Sequence, residues 1–255
     1  MPARLAVSLA NVDRPVRSLL DIAATWTLDG VTLDTRQIAP ADFGQTARRQ
    51  LLHNIQERRL LLAMLIVPTR SPLAELSRLD ARVGAVTAAM PLAWDLGCGA
   101  VGVRLGGWPA DEVDQERLRR VVEELAAAAD RFGPRLSLLP SPKALTPLAE
   151  LLEQIDAPVA IQLDPAAAVQ GGEPLERSAR LLPEAITHFR LRDAQAETGE
   201  TILGRGEVDW TLAAALATDL PLLKWLVVDR TEGSQRSVDL ARGIEFARAV
   251  FQPPG

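Results

Sequence analysis

Apolar and polar positions along this chain switch repeatedly between two periods. Short runs that are continuous or alternate with period two read as strands: RLAVSLA (4–10), GVTLDTR (30–36), LLLAMLIVP (60–68), AVGVRLG (100–106), RLSLL (135–139), PVAIQLD (158–164), ITHFRLRD (186–193) and LLKWLVVD (222–229). Between them, period-3.6 patterns predict helices over 15–27, 42–58, 74–97, 111–131, 144–154, 174–182, 209–218 and 236–251. The stretch DEVDQERLRRVVEELAAAADRF shows the logic. It opens on an acidic first turn, sets Leu118, Val121, Val122, Leu125 and Ala129 along one stripe, and stops at Gly133-Pro134. Eight strand–helix units within 255 residues predict an α/β fold of the (β/α)8 TIM-barrel type, as one domain over 1–255. A doubly wound sheet would carry a glycine-rich turn after its first strand, where this chain reads SLANVDRP.

The barrel directs attention to the C-terminal ends of its strands, where the active sites of this fold lie. Strands buried on both faces should be apolar throughout, so polar residues near those ends carry information. By parity the inward set is Asp34 and Arg36 on strand two, Arg104 on four, Gln162 and Asp164 on six, His188, Arg190 and Arg192 on seven, and Asp229 on eight. One buried strand face thus collects a histidine and two arginines.

Composition narrows the chemistry. A net charge of −5 disfavours a nucleic-acid scaffold. The single cysteine, Cys98, excludes an internal disulfide and suits a reducing compartment. No stretch reaches the roughly 20 apolar residues that span a bilayer, and the start lacks a secretory apolar segment, so a cytoplasmic protein without a membrane partner is expected. Lys143 and Lys224 are the only lysines, which leaves few amines for a Schiff base and favours surface roles for both. There is no G-x-S-x-G, no Walker loop, and GRGEVD is not G-x-G-x-x-G. His53 reads as a surface histidine on a helix. Two histidines and one cysteine are too few for a zinc cluster.

What remains is a carboxylate–arginine constellation. Asp164 and Asp229 end the strands flanking the one that carries Arg190. It suits either a buried ion-pair network or a site for an anionic or polyhydroxylated ligand, held by bidentate arginine bonds. In LGRGEVDW, Gly204 and Gly206 would free backbone amides for a phosphate and Arg205 would add charge; a plain turn into the next helix is the alternative. Trp108, in GGWP, could wall a sugar, or form a lid or a contact in a homo-oligomer.

The chain resembles a known family, the xylose isomerase-like barrels, also described as sugar phosphate isomerase/epimerase or AP endonuclease family 2 proteins. The resemblance rests on GVTLDTR, VPTR (67–70), LDARVGAVTAAMPLAWDLG (79–97), QLDPA (162–166), ITHFRLRDA, LGRGEVDW (203–210) and DLARGIEFAR (239–248), in that order and spacing. It implies one divalent metal held by a Glu ending strand five, an Asp ending strand six, a His on strand seven and a Glu ending strand eight. The two glutamates would move protons through an enediol. Here those positions are Leu139, Asp164, Arg190 and Asp229. His188 matches the first histidine of the family's H-x-H-x-K-D, and Arg190 replaces the second.

A guanidinium has no lone pair to offer a metal. Arg190 between Asp164 and Asp229 would instead supply fixed positive charge, with no metal and no cofactor. On that reading the barrel is a pseudoenzyme or a weak isomerase/epimerase acting on a small-molecule sugar or sugar phosphate. Asp229, Asp164 and Arg190 are its candidate catalytic residues, and His188, Arg192, Arg104, Gln162, Trp108 and Arg205 its candidate substrate-binding residues. A non-catalytic barrel that binds a sugar-like or anionic metabolite is the alternative. A DNA-repair nuclease, the third use of the barrel, would need many histidines and a basic groove.

Overall fold

Most of the apolar strands end at or beside charged or Pro/Gly positions along the chain, and the eight barrel strands close into a ring. A computed structural model describes residues 3–38, 43–155, 157 and 159–252. The strands are β1 (Arg4–Ser8), β2 (Gly30–Asp34), β3 (Leu61–Ile66), β4 (Ala100–Gly106), β5 (Arg135–Pro140), β6 (Val159–Leu163), β7 (Ile186–Leu191) and, after a hairpin of β8 (Asp193–Gln195) and β9 (Gly199–Thr201), β10 (Trp225–Val228). The eight strands other than the hairpin pair in parallel as a closed barrel, in the order β1-β10-β7-β6-β5-β4-β3-β2. This is the (β/α)8 TIM barrel that the pattern predicts.

The helices are α1 (Val16–Thr25), α2 (Thr35–Ile38), α3 (Gln45–Glu57), α4 (Leu79–Asp95), α5 (Glu112–Phe132), α6 (Leu145–Leu152), α7 (Pro165–Gly171), α8 (Leu175–Leu181), α9 (Trp210–Asp219) and α10 (Arg236–Phe251). In α5 the expected stripe is buried, Asp111 caps the start by accepting from the amides of Val113 and Asp114, and Gly133 ends it at φ 98°. The first residues of two expected elements, Asp42 and Pro158, lie outside the described residues.

Two apolar layers result. The larger fills the space between strands and helices and takes Val101, Val103, Leu136, Leu138, Ile161, Phe189 and Leu191 from the strands' outer faces. The smaller lies within the barrel and consists of Ala6, Ala63, Trp225 and Val227. Register shifts mark three strand pairs, among them β6–β7, where Ile161 pairs with Ile186 and Gln162 already with His188. Thr187 is the extra residue. Beyond that bulge, His188, Arg190 and Arg192 share the interior side. Among the described residues no helix is long and apolar enough to cross a membrane.

Candidate functional site at the barrel mouth

β6, β7 and β10 are neighbours in the barrel, so the residues at their C-terminal ends converge. Asp164 follows β6 and caps α7, accepting from the amide of Ala167 at 3.3 Å. Asp229 follows β10, and its Oδ1 accepts from the amide of Arg230 at 2.9 Å. Between them stands Arg190. Its Nη1 lies 3.6 Å from Asp164 Oδ2, and its Nη2 donates to Asp229 Oδ2. Arg192 donates from Nη1 to the same Asp164 oxygen at 2.6 Å. The two aspartate side chains are 3% and 2% exposed, the two arginines 12% and 13%, so these are nearly desolvated charge pairs.

Burial alone would raise the Asp229 carboxyl, but Arg190 and then Arg192 more than offset it and hold the group below the usual carboxylate range. For Arg192, burial disfavours the cation. Asp164, Asp229 and Glu200 outweigh that and hold it more firmly protonated than a free guanidinium.

The network extends to residues that the sequence reading misses. Glu200, on β9, accepts from Arg192 Nη2 at 2.5 Å, from Arg230 Nη1 at 3.1 Å and from the Thr231 amide at 2.8 Å. Burial pushes its carboxyl up, while Arg192 and the Thr231 hydroxyl pull it further down. Arg230 then reaches Asp239 on α10 at 3.2 Å. Carboxylates and guanidiniums alternate along the path Asp229–Arg190–Asp164–Arg192–Glu200–Arg230–Asp239, and this path fastens the β8–β9 hairpin to one side of the mouth. Glu200 sits in a polar stretch, AQAETGETI, with no local sign that it is buried. Only the pairing of β8 with β9 brings it to the barrel.

The amides expected to cradle a phosphate are already occupied. Asp193, buried at the start of β8, accepts from the amides of Gly204 at 2.9 Å, Gly206 at 3.0 Å and Val208 at 3.2 Å, and from Trp210 Nε1 at 3.0 Å. A Cβ on Gly206 would stand 2.1 Å from Asp193 Oδ1, so a glycine is required there. The loop's anion is internal, which corrects the expectation of free amides. Arg205 is exposed beside it.

The other candidates divide between two ends of the barrel. Arg104 and Gln162 line a small cleft of about 140 Å³ at the mouth, together with Arg190, Leu139 and Thr69. Gln162 also donates to the Ser137 carbonyl at 3.0 Å. Trp108 is half-buried against the outer core and does not line that cleft. His188 does not reach the mouth, a second correction. Only 2% exposed, it meets Thr187 Oγ1 at 2.8 Å and the Ala63 carbonyl at 3.2 Å, and it lines a cavity at the opposite pole. The physical reason is register, because β7 places it opposite Trp225 near the strand's start. Asp34 is buried, but Arg36 turns outward onto it from α2 with 69% of its side chain exposed. Cys98 is buried and its thiol is pushed up to about 12 by desolvation, so it holds no thiolate at neutral pH.

At the four positions where the family resemblance implies metal ligands stand Leu139 and Arg190, which have no lone pair to give, and two aspartates already facing a guanidinium. Among the described residues no group of three or more His, Cys, Asp or Glu is placed to hold a metal ion. The donor set does not suit a divalent cation. Guanidinium groups so placed are able to bind an anion or to polarise a carbonyl.

Comparison with known proteins bears on the fold and the family. No curated protein sequence matches the chain. Among solved structures, a xylose isomerase domain protein from Planctomyces limnophilus superposes with a TM-score of 0.83 at 18% identity, covering 98% of this chain and 99% of that one. A D-tagatose 3-epimerase-like protein gives 0.80 at 15% identity over 98% and 97%. A probable 3-DHS dehydratase from Bacillus anthracis gives 0.75 at 14% identity over 96% and 98%. At such identities the likeness is one of fold. The profile of the family described as xylose isomerase-like TIM barrel matches residues 20–250, and the chain belongs to that family.

Proposed function

We propose that this barrel is a sugar isomerase/epimerase family member in which an internal salt bridge has taken the metal's place, leaving weak turnover or none on sugars and sugar phosphates. The observation that carries the reading is Arg190 bracketed by Asp164 and Asp229. Epimerisation by two bases needs a carboxylate on each face of the reacting carbon. Leu139 supplies none on one side, and Asp229 on the other is bound to Arg190. Any proton transfer that survives would use Asp229 alone, with Arg190 polarising a carbonyl.

Binding without turnover is the second reading, and the mouth cleft favours it. Arg104 and Arg190 offer charge, Gln162 and Thr69 offer polar atoms, and Leu139 gives an apolar wall. That lining suits a sugar-like or anionic metabolite. Exchange of solvent deuterium into a panel of ketoses and their phosphates, with and without Mn²⁺, tests both readings. The expected result is exchange that is absent, or that is insensitive to chelator and abolished by Asp229→Asn, together with metal-independent thermal stabilisation by the ligands that bind. Tight stoichiometric binding of Mn²⁺, Mg²⁺ or Zn²⁺ at the mouth would overturn the proposal.

A further inference from the structure

The opposite pole of the barrel carries a second concavity. A cavity of about 270 Å³ opens at the N-terminal ends of the strands, lined by Arg4, Arg135 and Lys224, with Thr187, His188 and Trp225 in its wall. The cations come from opposite sides. Arg4 is on β1 and Lys224 directly precedes β10, whereas Arg135 is on β5, four places around the ring from β1. In contrast with the paired arginines of the mouth, none of the three forms an ion pair within 4.0 Å among the described residues. The nearby Asp29 is outside the lining and accepts from the Leu5 amide at 2.8 Å. In a chain of net charge −5, three uncompensated cations facing one hollow make a local positive field.

The wall is built rather than incidental. Trp225 closes the barrel from below, and the Arg4 guanidinium lies over its ring at 5.7 Å. Gly30 leaves room for it, since a Cβ there would come within 3.0 Å of the indole and 2.7 Å of the Leu61 carbonyl. The apolar group of Ala6, Ala63, Trp225 and Val227 sits between this pole and the mouth. His188 keeps both ring nitrogens occupied and presents no charge of its own.

We propose that the N-terminal pole is a binding site for a small dianion of metabolite size, held by Arg4, Arg135 and Lys224 and independent of the mouth. Arginine forks and a lysine point charge are the side chains that hold phosphoryl and carboxylate groups. Isothermal titration of the whole chain with inorganic phosphate, and separately with succinate, at fixed ionic strength tests it and distinguishes the two anion types. Saturable one-site binding of at least one of them is expected. It should weaken at least roughly 10-fold in the Arg135→Gln/Lys224→Gln variant, while Arg104→Ala should affect only such binding as belongs to the mouth and leave the pole component in place. Should Arg135→Gln impair folding, Arg4→Gln and Lys224→Gln, both at exposed positions, carry the same expectation. No saturable binding of either anion up to roughly 10 mM, or binding lost in Arg104→Ala and retained in the polar-cavity variants, would overturn the proposal.

Discussion

Arg190 neutralises two carboxylates that water barely reaches, so truncating it leaves buried negative charge without a partner. Arg190→Leu is expected to destabilise the fold by roughly 3–5 kcal/mol. The double variant Arg190→Leu/Asp229→Leu should recover most of that loss, because the stranded charge goes with its partner. Urea denaturation of the single and double variants measures both. Equal loss in the two would mean that packing, and not the charge pair, sets the stability there. The arginine and both aspartates are legible in the sequence, since charge on a strand that should be apolar stands out against its neighbours. His188 shows the boundary of that reasoning. Alternation assigns it correctly to the interior, but height along the barrel follows from strand register, and register places it at the far pole.

The β8–β9 hairpin is the element that the periodicity does not announce. Its two strands are three residues each, too short to show a period, and its place depends on one buried carboxylate in each strand. Asp193 gathers three amides and an indole from the following loop, while Glu200 joins the arginines of the mouth. Asp193→Ala removes a carboxylate acceptor from several donors at once and should cost roughly 2–4 kcal/mol. Hydrogen exchange should then quicken across residues 199–210 and leave the amides of β4 and β5 unchanged. Protection retained over 199–210 would show that the loop holds itself. A second short element, α7, was equally hidden, although the Asp164-Pro165 pair carries a cap and a first-turn proline. Seven residues are too few for a stripe.

At the scale of the whole molecule, the buried ionisable groups set how stability depends on pH. Burial, reinforced by Lys224, lowers His188 from the usual 6.5 to about 4 in the folded protein, against the Ala63 carbonyl that favours its cation. The unfolded chain therefore takes up that proton first as the pH falls. The contribution is complete above pH ~6.5 and is lost progressively down to about pH 4, by about 3 kcal/mol. Asp229 and Glu200 are lowered acids with a different window. Their contribution is complete above the unfolded carboxylate value of ~4 and is lost below it. Urea midpoints followed from pH 7 to pH 4.5 should fall for the natural chain and stay nearly flat for His188→Asn. An identical slope in both would assign the effect elsewhere.

The alternation of periods determined by itself that this chain is an eight-unit barrel. It also determined that Asp164, Arg190, Arg192 and Asp229 share one end, because a strand's direction and its two faces are local properties of the backbone. Two things were decided only by the closed tertiary structure: the reach of Glu200 to Arg192 and the capture of the Gly204–Val208 amides by Asp193. Each depends on groups far apart in sequence, or on a loop folding back upon itself. Ring closure and hairpin pairing set those distances, and no local pattern records them.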